Sequence, residues 1–340
     1  MHTKQWTIDD LEHHKEDIAE AAALLQAGEL VVFPTETVYG LGADATNEQA
    51  VAKIFAAKGR PQDNPLIVHA ACKEQLRSLA AYLPDYAEKL IDRFSPGPLT
   101  YVLPENGRCA RNVTAGLQTV GIRIPDHPAA IALIKAAGLP LAAPSANLSG
   151  KPSPTAAGHA AEDLAGKIAG ILDGGPTGVG VESTVIDCTG DLPVILRPGA
   201  VTEEMIAETI GQRLASTDAL SETEKPKAPG MKYRHYAPDV PLWLVNGKPG
   251  QLQELISQQQ EQGLRVAVMA SSRTLAELHA DGQFSLGGNL QETAAHLYDG
   301  LRRFEAGAAD LIICEAFPET GLGVAIMNRL KKAASKYIEL

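Results

Sequence analysis

Leu30-Val31-Val32-Phe33-Pro34-Thr35-Glu36-Thr37-Val38-Tyr39-Gly40-Leu41-Gly42 begins as an unbroken apolar run, stops at a proline and then releases hydroxyls and glycines. Val and Phe without interruption suit a strand covered on both faces, and the Pro, Thr and Gly that follow suit a loop at its end. Ligands of open α/β sheets sit at such strand ends. The stretch predicts an α/β fold with a ligand site where this strand exits.

Ahead of it, Ile18, Ala22 and Leu25 recur at helical spacing over residues 9–28, and Gly28 suits a left-handed stop. After it, Thr46-Asn47-Glu48-Gln49 matches a capping box, and Val51, Ile54 and Phe55 form a core stripe up to Gly59. Lys58 and Arg60 leave that helix at its C-terminal end, where cations complement the helix dipole. The polar loop 61–65 leads to a short strand at 66–69, a helix is predicted over 73–93, and Ser95-Pro96-Gly97-Pro98 forces a turn before a strand at 99–103. Thr119-Val120-Gly121-Ile122-Arg123-Ile124-Pro125 places an arginine inside an apolar strand, and a buried arginine requires an anion or a carboxylate partner. A strand at 139–144 runs into Ser145-Ala146-Asn147-Leu148-Ser149-Gly150-Lys151-Pro152-Ser153, again small donors at a strand end; Thr155 suits the cap of a helix reaching Lys167. Residues 170–199 read as a strand, a glycine loop and a hairpin around 190–193, and a helix follows near 202–214.

Residues 215–230, rich in Ser, Thr, Glu, Lys and Pro, resemble a linker. Beyond it strands at 242–245, 265–270 and 310–314 alternate with helices at 250–262, 291–306 and 322–336, the pattern of a three-layer α/β unit with a largely parallel sheet. The expected organisation is a catalytic domain at 1–214, a linker or lid at 215–240 and a smaller α/β domain at 241–340.

With 340 residues and 45% apolar side chains the chain can bury a sizeable core, and a net charge of −11 argues against a broad nucleic-acid face. Cys72, Cys109, Cys188 and Cys314 form no C-x-x-C pair, so neither a zinc site nor a disulfide framework is indicated. Met1 to Trp6 lack the apolar core of a signal peptide, and no run of about 18 apolar residues occurs, which predicts a cytoplasmic protein without a membrane partner. Gly40-Leu41-Gly42-Ala43-Asp44-Ala45 fits the loose G-x-G-x-x-A pattern, but Pro34 to Tyr39 separate it from the strand end that a dinucleotide site requires. No Walker loop, H-E-x-x-H or G-x-S-x-G is present. What remains is a pocket of hydroxyls and a few cations for an anionic ligand, suited to phosphoryl or nucleotidyl transfer by positioning and charge neutralisation.

Residues 33–41, Lys58-Gly59-Arg60-Pro61, Asn64-Pro65-Leu66, residues 95–100, Arg123-Ile124-Pro125, Pro144-Ser145-Ala146-Asn147 and Ser183-Thr184-Val185 together resemble the threonylcarbamoyl-adenylate synthases of the YrdC-like fold. Lys232-Tyr233-Arg234-His235-Tyr236-Ala237-Pro238 and the α/β unit after it resemble the long two-domain form, with a C-terminal Rossmann-like domain. The resemblance implies a twisted open mixed sheet with helices, and an activity that condenses L-threonine, bicarbonate and ATP to threonylcarbamoyl-AMP and pyrophosphate. It further implies that the product passes to a complex that modifies the adenosine beside the tRNA anticodon. Thr37, His69, Arg123, Ser183 and the Ala143 backbone would hold threonine. Arg60, Asn64, Thr119, Ser145, Ser153 and Arg197 would hold ATP, with Lys58 and Asn147 completing the wall and Tyr233 or Tyr236 closing over the nucleotide. Lys58, Arg60 and Arg197, with Mg2+ on ATP and no dedicated protein metal site, would neutralise the leaving pyrophosphate, and Arg123 would fork the threonine carboxylate. Two other readings stand beside this one: an RNA-binding module, and a carbamoyl-transfer domain of hydrogenase maturation whose zinc-finger cysteines this chain lacks.

Overall fold

The computed structural model describes residues 2–216, 236–304 and 307–340; Tyr233 and most of the expected linker lie outside the described residues. The chain divides into two compact units, Met1–Ser149, Pro154–Gly178 and Glu182–Lys232 forming the first, Gly150–Ser153, Val179–Val181 and Tyr233–Leu340 the second.

In chain order the first unit runs β1 (Lys4–Thr7), α1 (Lys15–Gln26), β2 (Val31–Phe33), β3 (Gly40–Asp44), α2 (Glu48–Lys58), β4 (Ile67–His69), α3 (Lys73–Leu79), α4 (Asp85–Phe94) and β5 (Leu99–Pro104). It continues through β6 (Thr119–Arg123), α5 (Pro128–Ala137), β7 (Leu141–Ala142), α6 (Ala157–Leu164), β8 (Gly170–Asp173), β9 (Thr184–Asp187), β10 (Val194–Arg197) and α7 (Glu203–Ile210). Among the described residues the strands join in the order β1-β8-β2-β3-β7-β4-β6-β5-β9-β10. β2 is covered on both faces as its apolar run requires: Val32 packs into a core with Leu41, Ile54 and Val68, and Val31 and Phe33 into another with Leu25 and Leu133.

The sheet is mixed. β3 is antiparallel to both β2 and β7, and β7 is antiparallel to β4, so β2 and β4 run in opposite directions. The carboxyl ends of its strands therefore do not form a single edge. Gly40 to Gly42 are strand rather than loop, because Phe33 lies across them: a Cβ on Gly42 would stand 2.9 Å from the Phe33 ring. The exit loop is residues 34–39.

Several expected boundaries move for local reasons. The cap of α2 is Asn47, whose side chain accepts from the Gln49 and Ala50 amides, because Asp44 captures the Thr46 hydroxyl at 2.7 Å. The helix expected over 73–93 is two helices, since Pro84 lacks an N–H and serves as the N-cap of α4. Thr155 caps nothing; α6 starts after Ala156, and the Thr155 amide bonds His159 Nδ1. The final helix stops at Ala333 and its expected last residue joins a strand.

The second unit contains β11 (Leu242–Asn246), α8 (Pro249–Glu261), β12 (Val266–Ala270), α9 (Ser272–Leu275), β13 (Gly282–Ser285), α10 (Leu290–Arg303), β14 (Leu311–Glu315), α11 (Leu322–Ala333) and β15 (Lys336–Glu339). Its strands pair in parallel in the order β13-β12-β14-β11-β15. Leu252 and Ile256 of α8 share a core with Val266, Val268, Leu311 and Ile313. On the opposite face α10 approaches so closely that a Cβ on Gly300 would meet Met269 at 2.7 Å. That makes three layers, as the alternation of elements requires. β1, β13 and β15, absent from the sequence reading, are all edge strands with little buried surface and so carry no strong apolar pattern.

Candidate active site

Alternation along paired strands sorts the first sheet into two faces. Val68 of β4, Val120 and Ile122 of β6, Tyr101 and Leu103 of β5 and Ile186 of β9 enter the large core. The residues between them share the other face: Ile67 and His69, Thr119, Gly121 and Arg123, Thr100 and Val102, and Val185. Thr119 lines a small cleft there with Pro65, Ile67, Thr100, Gly121, Val102 and Val185.

His69 and Arg123 are register partners at the ends of the parallel strands β4 and β6. Arg123 Nη1 donates to Thr37 Oγ1 and to Glu36 Oε1, both at 3.0 Å, and Nη2 donates to His69 Nε2 at 3.2 Å. The carboxylate partner demanded by a buried arginine is thus Glu36, 87 residues away in sequence, and their side chains are 4% and 11% exposed. Thr35 shapes the loop that delivers Glu36 and Thr37, accepting from the Thr37 and Val38 amides at 3.2 Å. Because Arg123 has no acceptor, His69 Nε2 accepts and Nδ1 carries the ring proton. Arg123 Nε is a buried donor without a partner in the described structure, and His69 Nδ1 has no acceptor at full hydrogen-bond geometry although the Ile67 and Leu141 backbone lies close enough to favour its ring proton. Burial, reinforced by the Arg123 charge, holds His69 well below the usual histidine range, so the imidazole is neutral at neutral pH. Burial also pulls the Arg123 guanidinium down, and Glu36 opposes it. Phe33 meets the His69 ring edge-on, centroids 5.7 Å apart.

Ser183 and Arg197 form a neighbouring cluster. Arg197 donates to the Ser183 carbonyl through Nε at 3.1 Å and Nη2 at 2.9 Å, and Nη2 also reaches Ser183 Oγ, which pairs with Thr100 Oγ1 at 2.8 Å. A bulge in β10 sets this: Ile195 pairs with Ile186, yet Arg197 pairs with Val185. Without the extra residue Arg197 would fall opposite Thr184 and face the core.

Lys58, read from sequence as a helix-end cation, is buried, and its ammonium donates to the Ser145 and Asn147 carbonyls. Ser149 N donates to the Lys58 carbonyl at 2.9 Å, so the 145–149 loop is tied to the end of α2. Arg60 is half-buried and donates to the Pro65 carbonyl at 3.3 Å; Asn64 beside it is buried. The Ala143 amide is engaged by the Ile67 carbonyl at 2.9 Å.

Two expected site residues belong to the second unit. Ser153 is buried in its short loop, where Arg302 of α10 donates to the Pro152 carbonyl at 2.6 Å. Tyr236 is buried with φ of 66°, tilts onto Tyr298 at 5.4 Å between centroids, and precedes Ala237, whose amide bonds the Gly150 carbonyl at 3.0 Å. The sequence reading missed Glu36, Thr35 and Thr100 as site partners. For Glu36 the signal was the arginine's need for a carboxylate, but nothing local says which one answers.

A mixed sheet whose one face carries buried cations and hydroxyls, followed by a parallel three-layer unit, defines a two-domain α/β protein with a polar site suited to an anionic ligand. The Sua5/YciO/YrdC family model, described as "Telomere recombination", matches residues 23–199, and a model described as "Threonylcarbamoyl-AMP synthase, C-terminal domain" matches residues 201–335. A threonylcarbamoyl-AMP synthase of Bacillus subtilis (strain 168) is 54% identical over 340 residues, covering 98% of each chain. One from Pyrococcus abyssi is 50% identical over 319 residues, covering 92% of this chain and 93% of its own. The crystal structure of P. abyssi Sua5 complexed with L-threonine matches with a TM-score of 0.92 at 46% identity over 100% of both chains. The chain belongs to the Sua5/YrdC family of threonylcarbamoyl-AMP synthases, in its two-domain form.

Proposed function

We propose that the protein is an L-threonylcarbamoyladenylate synthase, condensing L-threonine, bicarbonate and ATP to threonylcarbamoyl-AMP and pyrophosphate. The observation that carries this reading is the network at the exit of β6, where Thr37, His69 and Arg123 meet and the buried Arg123 Nε remains unpartnered. That donor, on a buried guanidinium, suits a carboxylate such as that of threonine.

In the proposed course, Arg123, Thr37, Ser183 and His69 hold threonine against the Ala143 backbone. The threonine amine attacks bicarbonate and loses water to give an N-carboxylate. That carboxylate oxygen then attacks the α-phosphorus of ATP, and pyrophosphate leaves. The nucleophile of the second step is already anionic, so no protein base is required there. His69 binds rather than takes a proton, since its pKa is depressed and its free lone pair already accepts from Arg123.

ATP is assigned to Arg60, Asn64, Thr119, Ser145, Asn147, Ser153 and Arg197. Arg60 and Lys58 neutralise the leaving pyrophosphate, Lys58 also shaping the loop whose carbonyls it holds. Among the described residues no group of three His, Cys, Asp or Glu is gathered for a metal. Mg2+ is assigned to the ATP phosphates as part of the substrate, because it keeps water and phosphate oxygens as its main ligands. Tyr233 or Tyr236 in a lid at 215–240, between a catalytic domain at 1–214 and a C-terminal domain at 241–340, closes over the nucleotide. The product is handed to a complex that makes N6-threonylcarbamoyladenosine in tRNA, with no stable nucleic-acid binding here. No helix among the described residues is long and apolar enough to cross a membrane, and the cytoplasm is the proposed compartment.

The test is pyrophosphate release from ATP with threonine and bicarbonate supplied together, singly and not at all. Release only when both are present is the expected result; equal release from ATP alone would make the protein an ordinary ATPase and end this reading.

A further inference from the structure

Glu36 lies between Thr35 and Thr37, and its carboxylate makes two bonds at the exit of β6. Oε1 accepts from Arg123 Nη1 and Oε2 accepts from the Asp126 amide, each at 3.0 Å. Counting donors on the guanidinium shows what this leaves. The two protons of Nη1 go to Glu36 and Thr37, one proton of Nη2 goes to His69, and Nε has no partner. The donors left over are Nε and the second Nη2 proton, on adjacent nitrogens, the spacing that takes both oxygens of one carboxylate.

We propose that Glu36 is a positioning residue for the amino-acid carboxylate, a step that rests on the reading of this pocket as the threonine site. By holding Nη1 it fixes the rotation of the guanidinium and so selects which edge of Arg123 meets the ligand. It also gives the buried cation a standing counter-charge, so the arginine is held in place before a ligand carboxylate arrives. The second bond, to the Asp126 amide, ties Glu36 to the backbone leaving β6; the carboxylate is therefore set by the same strand as the arginine it holds.

The experiment is calorimetric binding of threonine and, separately, of ATP to the full-length protein carrying Glu36→Ala or Glu36→Gln, with thermal melts and the KM of each substrate. Glu36→Ala is expected to weaken threonine by about tenfold or more and to leave ATP within about threefold, since breaking a buried charge pair acts on the ligand that shares it. Glu36→Gln keeps an acceptor for one of its two bonds and should fall between; it is scored alone if the alanine variant does not fold. In an Arg123→Ala background, Glu36→Ala should cost threonine nothing further, because its effect passes through the arginine. Unchanged threonine binding by Glu36→Ala overturns the inference while leaving the function intact. Equal losses of threonine and ATP with a lowered melting temperature also overturn it, as a general structural role would do. A parent protein that binds no threonine at all removes the proposed function and this inference together.

Discussion

One face of the mixed sheet is treated in two ways. Over β8, β2 and β7 it is packed by α1 and α5, with Val31, Phe33, Leu141 and Leu172 meeting Ile18, Leu25, Ala130 and Leu133. Over β6, β5 and β9 the same face carries an apolar cluster of only Val102 and Val185, with Leu196 against it, among the described residues. There the neighbouring positions are His69, Thr119, Arg123, Ser183 and Arg197. Phe33 touching His69 marks the border. The lesson is that the site was not added to a finished fold. It occupies a stretch of sheet outside the α1 and α5 packing, and its charges persist because Arg123 bonds Glu36 and Arg197 bonds the Ser183 carbonyl.

The severest way to break this contrast is Arg123→Ala. It should lower threonine use by roughly 2–5 kcal/mol, read as KM and kcat in pyrophosphate release. It should also destabilise the fold, by up to about 3–5 kcal/mol, because it leaves Glu36 without its counter-charge. A variant that melts like the parent would mean that the Glu36 pair carries no stability. On the covered half, Leu25→Ala should cost roughly 2–5 kcal/mol in melts with both substrate KM values unchanged, the signature of a core that only supports. A shift in threonine KM there would erase the distinction between the halves.

A smaller effect follows from His69. In the unfolded chain its imidazole takes up a proton near pH 6.5, whereas the native imidazole, depressed by burial and by Arg123, does not. Native stability attributable to His69 is therefore full above that pH and is lost as pH falls, by up to about 1.4 kcal/mol per pH unit between about 6.5 and 5. His127, also depressed by burial, adds its own share, so His69→Gln should flatten part of the slope in melts across that window. An unchanged slope would contradict the depressed pKa. The smallest expected change is Asn47→Ala, about 1 kcal/mol at the cap of α2, with Thr46→Ala costing less; the reverse order would restore the cap expected from the sequence.

Much was legible before any coordinates because it is local. Gly59, with φ of 61°, ends α2 where the apolar stripe of Val51, Ile54 and Phe55 stops, and the hairpin of β9 and β10 closes around its predicted turn. The alternation of the second unit survives almost intact, since buried parallel strands and amphipathic helices write strong periods. What was misread is equally physical. The edge strands have no second apolar face to announce them, and Gly40 and Gly42 imitate a ligand loop when their role is to admit the Phe33 ring.

Residues a few positions apart suffice for the strand β2, the helices around it, the glycine that ends α2 and the motifs that mark the family, and the change of composition near 215–230 suffices for the two-unit plan. That Arg123 is answered by Glu36, that Lys58 clasps the Ser145 loop, and that the β10 bulge turns Arg197 onto the face of Val185 emerges from the folded chain alone. These depend on strand direction and register between segments distant in the chain. A one-residue slip or a reversed neighbour would keep every local pattern and place the same side chains on the wrong face.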